Sequence, residues 1–155
     1  MDRIREIEKW VDDHREEMIS YLGSLIRIPS INPWFSDYQE YTTEKAVQEF
    51  LADSLKKMGF HVRLWETSAE ELKCFEGYPG YYEGRPMHDR PILFGEYKGT
   101  GGGRSLLLTG HADVVKVGKG WTKDPFGAEI CDNRMYGRGT VDMKGGIAAM
   151  VMAAR

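Results

Sequence analysis

Three side chains in the second half of the chain have the residue types of a metal site: His111, Asp113 and Asp142. His111 and Asp113 stand two apart after the apolar run Leu106-Leu107-Leu108-Thr109, so on an extended backbone they project to the same side. A carboxylate beside an imidazole accepts the proton of one ring nitrogen, fixes the tautomer and leaves the other nitrogen for a metal ion. The pair also reads as a plain hydrogen-bonded couple at a strand end, because ion-pair networks have the same look. Asp142 lies between Gly137 and Gly139 on one side and Gly145 and Gly146 on the other. Those glycines permit close backbone approach. A carboxylate has two oxygens, enough to bridge two metal ions about 3.5–4 Å apart, the spacing of two-metal hydrolysis. The competing reading is an aspartate that caps a helix beginning near Met143. It does not account for a His-x-Asp strand end and a glycine-framed Asp in one short stretch.

An open α/β sheet would position such residues, with the site at the carboxyl ends of its strands. Residues Ser105 to Gly110 read as a strand buried on both faces, since the apolar run is continuous. The residues after Gly145 read as a buried helix. Upstream, Ile4, Ile7, Val11, Met18, Leu22 and Leu25 recur at helical steps, which predicts one amphipathic helix over Asp2 to Arg27, ended by Ile28-Pro29. Ser30 to Tyr41 reads as a loop. A second helix, with Thr42 or Thr43 as N-cap, carries Ala46, Val47, Phe50, Leu51, Leu55 and Met58 and closes on Gly59. Phe60 to Trp65 alternates as a strand, with Phe60, Val62 and Leu64 on one face. Residues 66 to 91 read as a surface excursion, and Ile92 to Lys98 as another strand. The glycine-rich stretch Gly99 to Gly103 is a turn rather than a phosphate cradle, because a strand and not a helix follows it. Ala128–Ile130 and Arg134–Tyr136 flank Asp132-Asn133, a hairpin signal.

The chain has 155 residues, 41% hydrophobic and 29% charged, enough for one domain with a core. A net charge of −3 gives no reason to expect nucleic acid. The longest apolar run, Ile147 to Ala154, is too short to span a bilayer. The charged start MDRIREIEKW is not a secretory signal. Cys74 and Cys131 form no CxxC pair and read as free thiols of a reducing compartment, so a soluble cytoplasmic protein is expected. Of the other histidines, His14 reads as solvated and His61 lies on the polar strand face. His88 sits beside Asp89 in a loop, a metal ligand by type with nothing to frame it. Tyr78, Tyr81 and Tyr82 read as packing within a surface loop.

His111-Ala112-Asp113-Val114 after an apolar run, then Trp121, Asp124-Pro125-Phe126 and the stretch from Tyr136 to Gly146, resemble a known signature. It is that of the acetylornithine deacetylase, succinyl-diaminopimelate desuccinylase, aminoacylase and carboxypeptidase G family of two-zinc amidohydrolases. Ile28-Pro29-Ser30-Ile31-Asn32-Pro33 resembles the family's N-terminal segment. Tyr97 to Gly103 resembles its acetylornithine deacetylase branch. The resemblance covers essentially the whole chain. It implies an α/β, zinc-peptidase-like catalytic domain with a mixed, mostly parallel sheet and flanking helices. Residues 1–155 would be its N-terminal portion, with the sheet incomplete and the lid and dimerisation domain absent.

The resemblance also implies roles. His111 would be a terminal ligand of one zinc and Asp142 the bridge between two, with cobalt as a substitute metal. Asp113 would be the catalytic-site carboxylate that orients His111, and the Asp142-Met143 peptide would be cis. The family's Glu-Glu pair, later acidic ligand and final histidine have no counterpart in these residues. The implied reaction is hydrolysis of an amide bond in an N-acyl amino acid, as in acetylornithine deacetylase. Two zincs activate a bridging water and polarise the carbonyl, and a glutamate carries the proton. The implied partner is a small N-acyl amino acid or short peptide, with no nucleic acid and no membrane, and a homodimer in the full-length form. The alternatives are a dipeptidase or aminopeptidase of the same superfamily, and an inactive fragment with residual metal binding. The 155 residues alone are expected not to turn substrate over. They are also expected to keep an unpaired sheet edge and to expose Ile147, Met150 and Val151.

Overall fold

The computed structural model describes residues 2–35 and 44–155. Helix α1 (Arg3–Asp13) opens on Asp2, whose carboxylate accepts the Ile4 N–H. The single long helix expected over residues 2–27 is instead two, because the chain leaves helical geometry at His14 (φ −109°, ψ 11°) and α2 runs over Arg15–Ile26. The His14 ring stacks on Trp10 at 4.2 Å, and its Nδ1 lies 2.8 Å from the Trp10 carbonyl oxygen. The ladder bonds continue past the change in backbone, with the His14 N–H donating to the Trp10 carbonyl at 3.1 Å and the Met18 N–H to the His14 carbonyl at 3.0 Å. The break leaves the apolar stripe of α1 outside the core, with Ile4 and Ile7 each 63% exposed, while Leu25 and Ile26 of α2 are fully buried.

Helix α3 (Glu44–Lys57) buries Val47, Leu51 and Ala52 and ends at Gly59 in the left-handed region, φ +86°. The N-cap expected at Thr42 or Thr43 lies outside the described residues. Strands β1 (His61–Trp65) and β2 (Ile92–Glu96) pair antiparallel, Val62 opposite Gly95. Between them the short α4 (Ala69–Leu72) carries a capping box from Ser68 and Glu71. Strands β3 (Glu129–Cys131) and β4 (Arg134–Tyr136) form the expected hairpin. Its turn residues Asp132 and Asn133 both have positive φ, as a type I′ turn requires. Helix α5 (Lys144–Ala153) packs on α2.

The core joins Leu25 of α2, Val47 and Leu51 of α3, Ala112, and Ile147, Ala148 and Val151 of α5. Ile147 and Val151 are therefore buried, and Met150 is partly buried against them, contrary to the expectation that α5 would show them to solvent. The elements N-terminal to α5 already cover that face.

Residues 105–110 depart from the expected strand. They join no ladder among the described residues, and Leu106 and Leu107 are 82% and 77% exposed. Strand structure depends on a hydrogen-bonded neighbour. Only the continuation of this segment finds one, where Val114 bridges Ile31 in parallel. Both two-stranded sheets are antiparallel, so among the described residues parallel pairing is confined to that bridge. The α/β class and an incomplete sheet both hold. No described helix is long and apolar enough to cross a membrane.

Candidate metal centre

The strand end that carries His111 is held by the segment after α2. The Ser30 hydroxyl donates to the Ala112 carbonyl at 2.6 Å, the Val114 N–H to the Ser30 carbonyl at 2.8 Å, and the Asn32 N–H to the Val114 carbonyl at 2.9 Å. The loop that carries Asp142 is held by its own backbone and by a buried lysine. Gly139 has φ +92°, where a side chain would strain the backbone, and a Cβ on Gly145 would run into the Thr140 carbonyl oxygen. The Lys144 N–H donates to the Gly139 carbonyl at 2.8 Å. The fully buried Lys144 ammonium donates to the Leu25 and Ile28 carbonyls, at 2.9 and 2.6 Å, at the end of α2. Burial pushes its pKa down to about 8. Further along, Arg138 donates to the Lys116 and Val117 carbonyls and lies over the Trp121 ring at 5.4 Å. The Arg138 N–H also reaches the Pro125 carbonyl at 2.7 Å. The dispersed motif residues Trp121, Pro125 and Arg138 thus converge on one loop.

These supports bring the three predicted side chains together. His111 Nε2 lies 3.0 Å from Asp142 Oδ1. On the other side of the ring, Nδ1 lies 3.2 Å from Asp113 Oδ1 and 3.1 Å from the Asp113 carbonyl oxygen. The second Asp113 oxygen accepts from Asn32 Nδ2 at 2.7 Å. The Asp142 side chain is 83% exposed, His111 49% and Asp113 25%. Burial alone pushes the His111 pKa down. The hydrogen bonds and negative charge of Asp113 and Asp142 outweigh it, and the net shift is upward. Met143 is the N-cap of α5 and makes no side-chain cap bond, so Asp142 reaches toward His111 instead of capping the helix. The Asp142-Met143 peptide is cis.

His111 and Asp113 line two adjoining cavities. One, about 500 Å³, is otherwise formed by Val114, Val115 and residues 137–142. The other, about 610 Å³, runs between β2 and residues 106–113 and includes Glu44, Arg85 and Arg90. Glu44 was not expected near the site. Both its oxygens accept from Arg90 Nε, at 3.0 and 3.1 Å. Burial pushes its pKa up, against the pull of Arg90. Asn32 and Lys144 were also missed as contributors, although both lie inside stretches singled out by their resemblance to family motifs.

The remaining histidines stay apart from this centre. His61 is exposed on β1, and His14 is tied to Trp10. His88 gains a neighbour that sequence spacing did not foretell, since Glu66, His88 and Asp89 bring ligand atoms within 4.8 Å of one another. The glycines at 101 and 102 are exposed turn positions, and Tyr82 packs beside Trp34. Cys74 and Cys131 are free thiols.

Residues 107–155 match the family model described as Peptidase family M20/M25/M40. A succinyl-diaminopimelate desuccinylase of Novosphingobium aromaticivorans is 54% identical over 67 residues, which is 42% of this chain and 18% of that relative. One of Wolinella succinogenes is 53% identical over 57 residues, 37% of this chain and 16% of the relative. Among solved structures, human carnosine dipeptidase 1 aligns with a TM-score of 0.76 over 99% of this chain and 31% of its own, at 20% identity, a likeness of fold. The chain thus spans under a fifth of the length of these curated relatives in the matched stretch. The family resemblance drawn from His111-Ala112-Asp113 and the loop to Gly146 is borne out.

Proposed function

We propose that the protein is a zinc-dependent amidohydrolase of N-acyl amino acids, with residues 1–155 forming the N-terminal part of its catalytic domain. The observation that carries this reading is one imidazole set between two carboxylates from different segments, inside the stretch that matches the peptidase family. The residues fit a metal. Two ligands on one tetrahedral zinc, each about 2.0–2.2 Å from it, stand about 3.4 Å apart. His111 Nε2 and Asp142 Oδ1 are 3.0 Å apart, so a separation of a few tenths of an ångström admits the ion. The exposed Asp142 can swing that far, and its second oxygen is available to a second ion. Zinc held there supplies Lewis-acid polarisation of an amide carbonyl and acidifies water near neutral pH.

The chain's own residues bind and orient. His111 and Asp142 hold metal, and Asp113 keeps the His111 Nδ1 proton engaged so that Nε2 faces the ion. Glu44, the glutamate lining the larger cavity, is committed to Arg90 and does not serve as base. Among the described residues no glutamate at the site is free to carry the proton, and on this reading the 155 residues by themselves do not turn substrate over.

For the acyl group, the relatives named as succinyl-diaminopimelate desuccinylases favour a succinylated amino acid over the acetylated one that the sequence motifs suggested. The likeness to a carnosine dipeptidase is one of fold and assigns no substrate. The test is the protein encoded by the whole reading frame, purified with zinc. It would be assayed on N-succinyl-diaminopimelate, N-acetylornithine and dipeptides, with chelator and zinc add-back. Release of the free amine that stops with chelator and returns with zinc is expected. Hydrolysis indifferent to chelator, or no hydrolysis of any N-acyl amino acid by the zinc-loaded protein, would overturn the reading.

A further inference from the structure

Asn32 reaches the candidate centre through two sets of bonds. Its backbone N–H joins the strand end at Val114, 2.9 Å away, beside the parallel bridge of Ile31 and Val114. Its side chain, in a residue only 8% exposed, lies between two groups with opposite needs. The amide oxygen accepts the Trp34 N–H at 2.9 Å, so the amide nitrogen must face the other way, and it donates to Asp113 Oδ2 at 2.7 Å. An amide has one acceptor end and one donor end, and both are used. Asp113 is left with Oδ1 toward His111 Nδ1.

We propose that Asn32 is a positioning residue for the metal centre: it fixes the rotation of the Asp113 carboxylate and, through it, the tautomer of His111. The inference rests on the metal-site reading of His111 and Asp113. A connected line of bonds runs from the Trp34 backbone through Asn32, Asp113 and His111 to Asp142. Asn32 is the buried member of this line and Asp142 the exposed one, so order passes outward from Asn32. Outer partners of a ligating histidine commonly change metal affinity by about 10–100-fold when removed. Asn32 is one bond further out, which places its effect at about 10-fold.

A purely structural asparagine would also hold the turn at Trp34, so the experiment must read His111 itself. In the metal-free chain, the ring-nitrogen NMR signals of His111, recorded where the ring is neutral, report which nitrogen carries the proton. Wild type is expected to hold the proton on Nδ1. Asn32→Ala should shift the ring toward a tautomer mixture, Asp113→Asn should do the same, and the double variant should shift it no further than Asp113→Asn alone. The signals of His14, His61 and His88 should stay in place and report an intact fold. A second arm measures zinc affinity by chelator competition, with about a 10-fold loss expected in Asn32→Ala and, again, no added loss on top of Asp113→Asn. Unchanged His111 signals in Asn32→Ala, or losses that simply add, would overturn the role given to Asn32. Failure of wild type to bind zinc would count against the metal-site reading, and the ring signals would still decide the Asn32–Asp113 coupling.

Discussion

Two histidines in this molecule sit with an imidazole nitrogen 3.0 Å from a carboxylate oxygen, and they are held very differently. His111 follows an apolar segment and stands between Asp113 and Asp142, one carboxylate at each ring nitrogen. Each carboxylate is on backbone fixed from beneath, Asp113 by Asn32 and the loop of Asp142 by the buried Lys144. His88 meets Asp89, its sequence neighbour, with Glu66 close by, on a side chain that is 88% exposed. Asp89 also pairs there with the Lys45 ammonium, 3.5 Å from its other carboxylate oxygen. Ligand atoms gather in both places. The difference is preorganisation: a site must hold its ligands before the ion arrives, and buried partners do that where solvated ones do not.

The largest expected effect tests that difference at its centre. In the complete enzyme, His111→Ala should remove zinc from the site and reduce amide hydrolysis beyond the roughly 10–100-fold typical of an outer carboxylate. Metal content and turnover, measured together, check it. Retention of both would place the working metal elsewhere, with Glu66, His88 and Asp89 as the first group to examine.

A second effect concerns the frame. Lys144 has a folded pKa of about 8, against roughly 10.4 for an unfolded lysine. Between those values the unfolded chain binds more protons than the folded one, so stability rises with pH through that window. The charged form is disfavoured below it, and the rise amounts to at most about 3 kcal/mol. Other groups titrate in the same range, so the measurement is the difference between wild type and Lys144→Met in urea unfolding at pH 7.5 and pH 10.5. Wild type should gain stability relative to the variant as pH rises. Parallel curves would show that the carbonyls of Leu25 and Ile28 fully compensate the buried charge.

Smaller again is the effect of the orienting carboxylate. Asp113→Asn in the complete enzyme should keep the fold and weaken zinc affinity or kcat/KM by roughly 10–100-fold. An asparagine keeps an acceptor for Nδ1 but loses the charge, and the Asp113 backbone carbonyl at 3.1 Å limits the loss. Unchanged zinc content and kinetics would remove Asp113 from the centre.

Much of the centre was legible because its information is local. His111 and Asp113 are two apart, and glycines around Asp142 mark a loop where backbone conformation and clearance matter, as Gly139 and Gly145 show. The hairpin at Asp132-Asn133 and the helix end at Gly59 were legible for the same reason. What escaped depends on contacts far apart in sequence. Asn32 meets Asp113 across 81 residues and Lys144 meets Leu25 across 119. A lysine beside a run of small apolar residues reads as exposed until α2 presents its carbonyls. Hydrophobic pattern misled in two places. Periodicity continued a helix through His14, where the backbone leaves helical geometry. The continuous apolar run implied burial of Leu106 and Leu107, which requires neighbouring strands that the described residues do not provide.

The smallest expected effect is the sharpest test of the comparison. If proximity of ligand atoms were sufficient, His88→Ala should cost the protein a metal site, since Glu66, His88 and Asp89 satisfy the distance requirement. The physical chemistry argues otherwise. His88 is almost wholly solvated, so water competes for its nitrogens. Asp89, its close carboxylate, also pairs with Lys45, and among the described residues no buried donor orients the ring. Exposed pairs of this kind contribute about 0–1 kcal/mol. His88→Ala is therefore expected to leave zinc stoichiometry and amide hydrolysis within about twofold of wild type and stability within about 0.5 kcal/mol. Zinc titration and thermal unfolding of His88→Ala beside His111→Ala give the answer directly. Equal loss of zinc affinity in the two variants would mean that framing from beneath contributes little, and the distinction between the two clusters would fall.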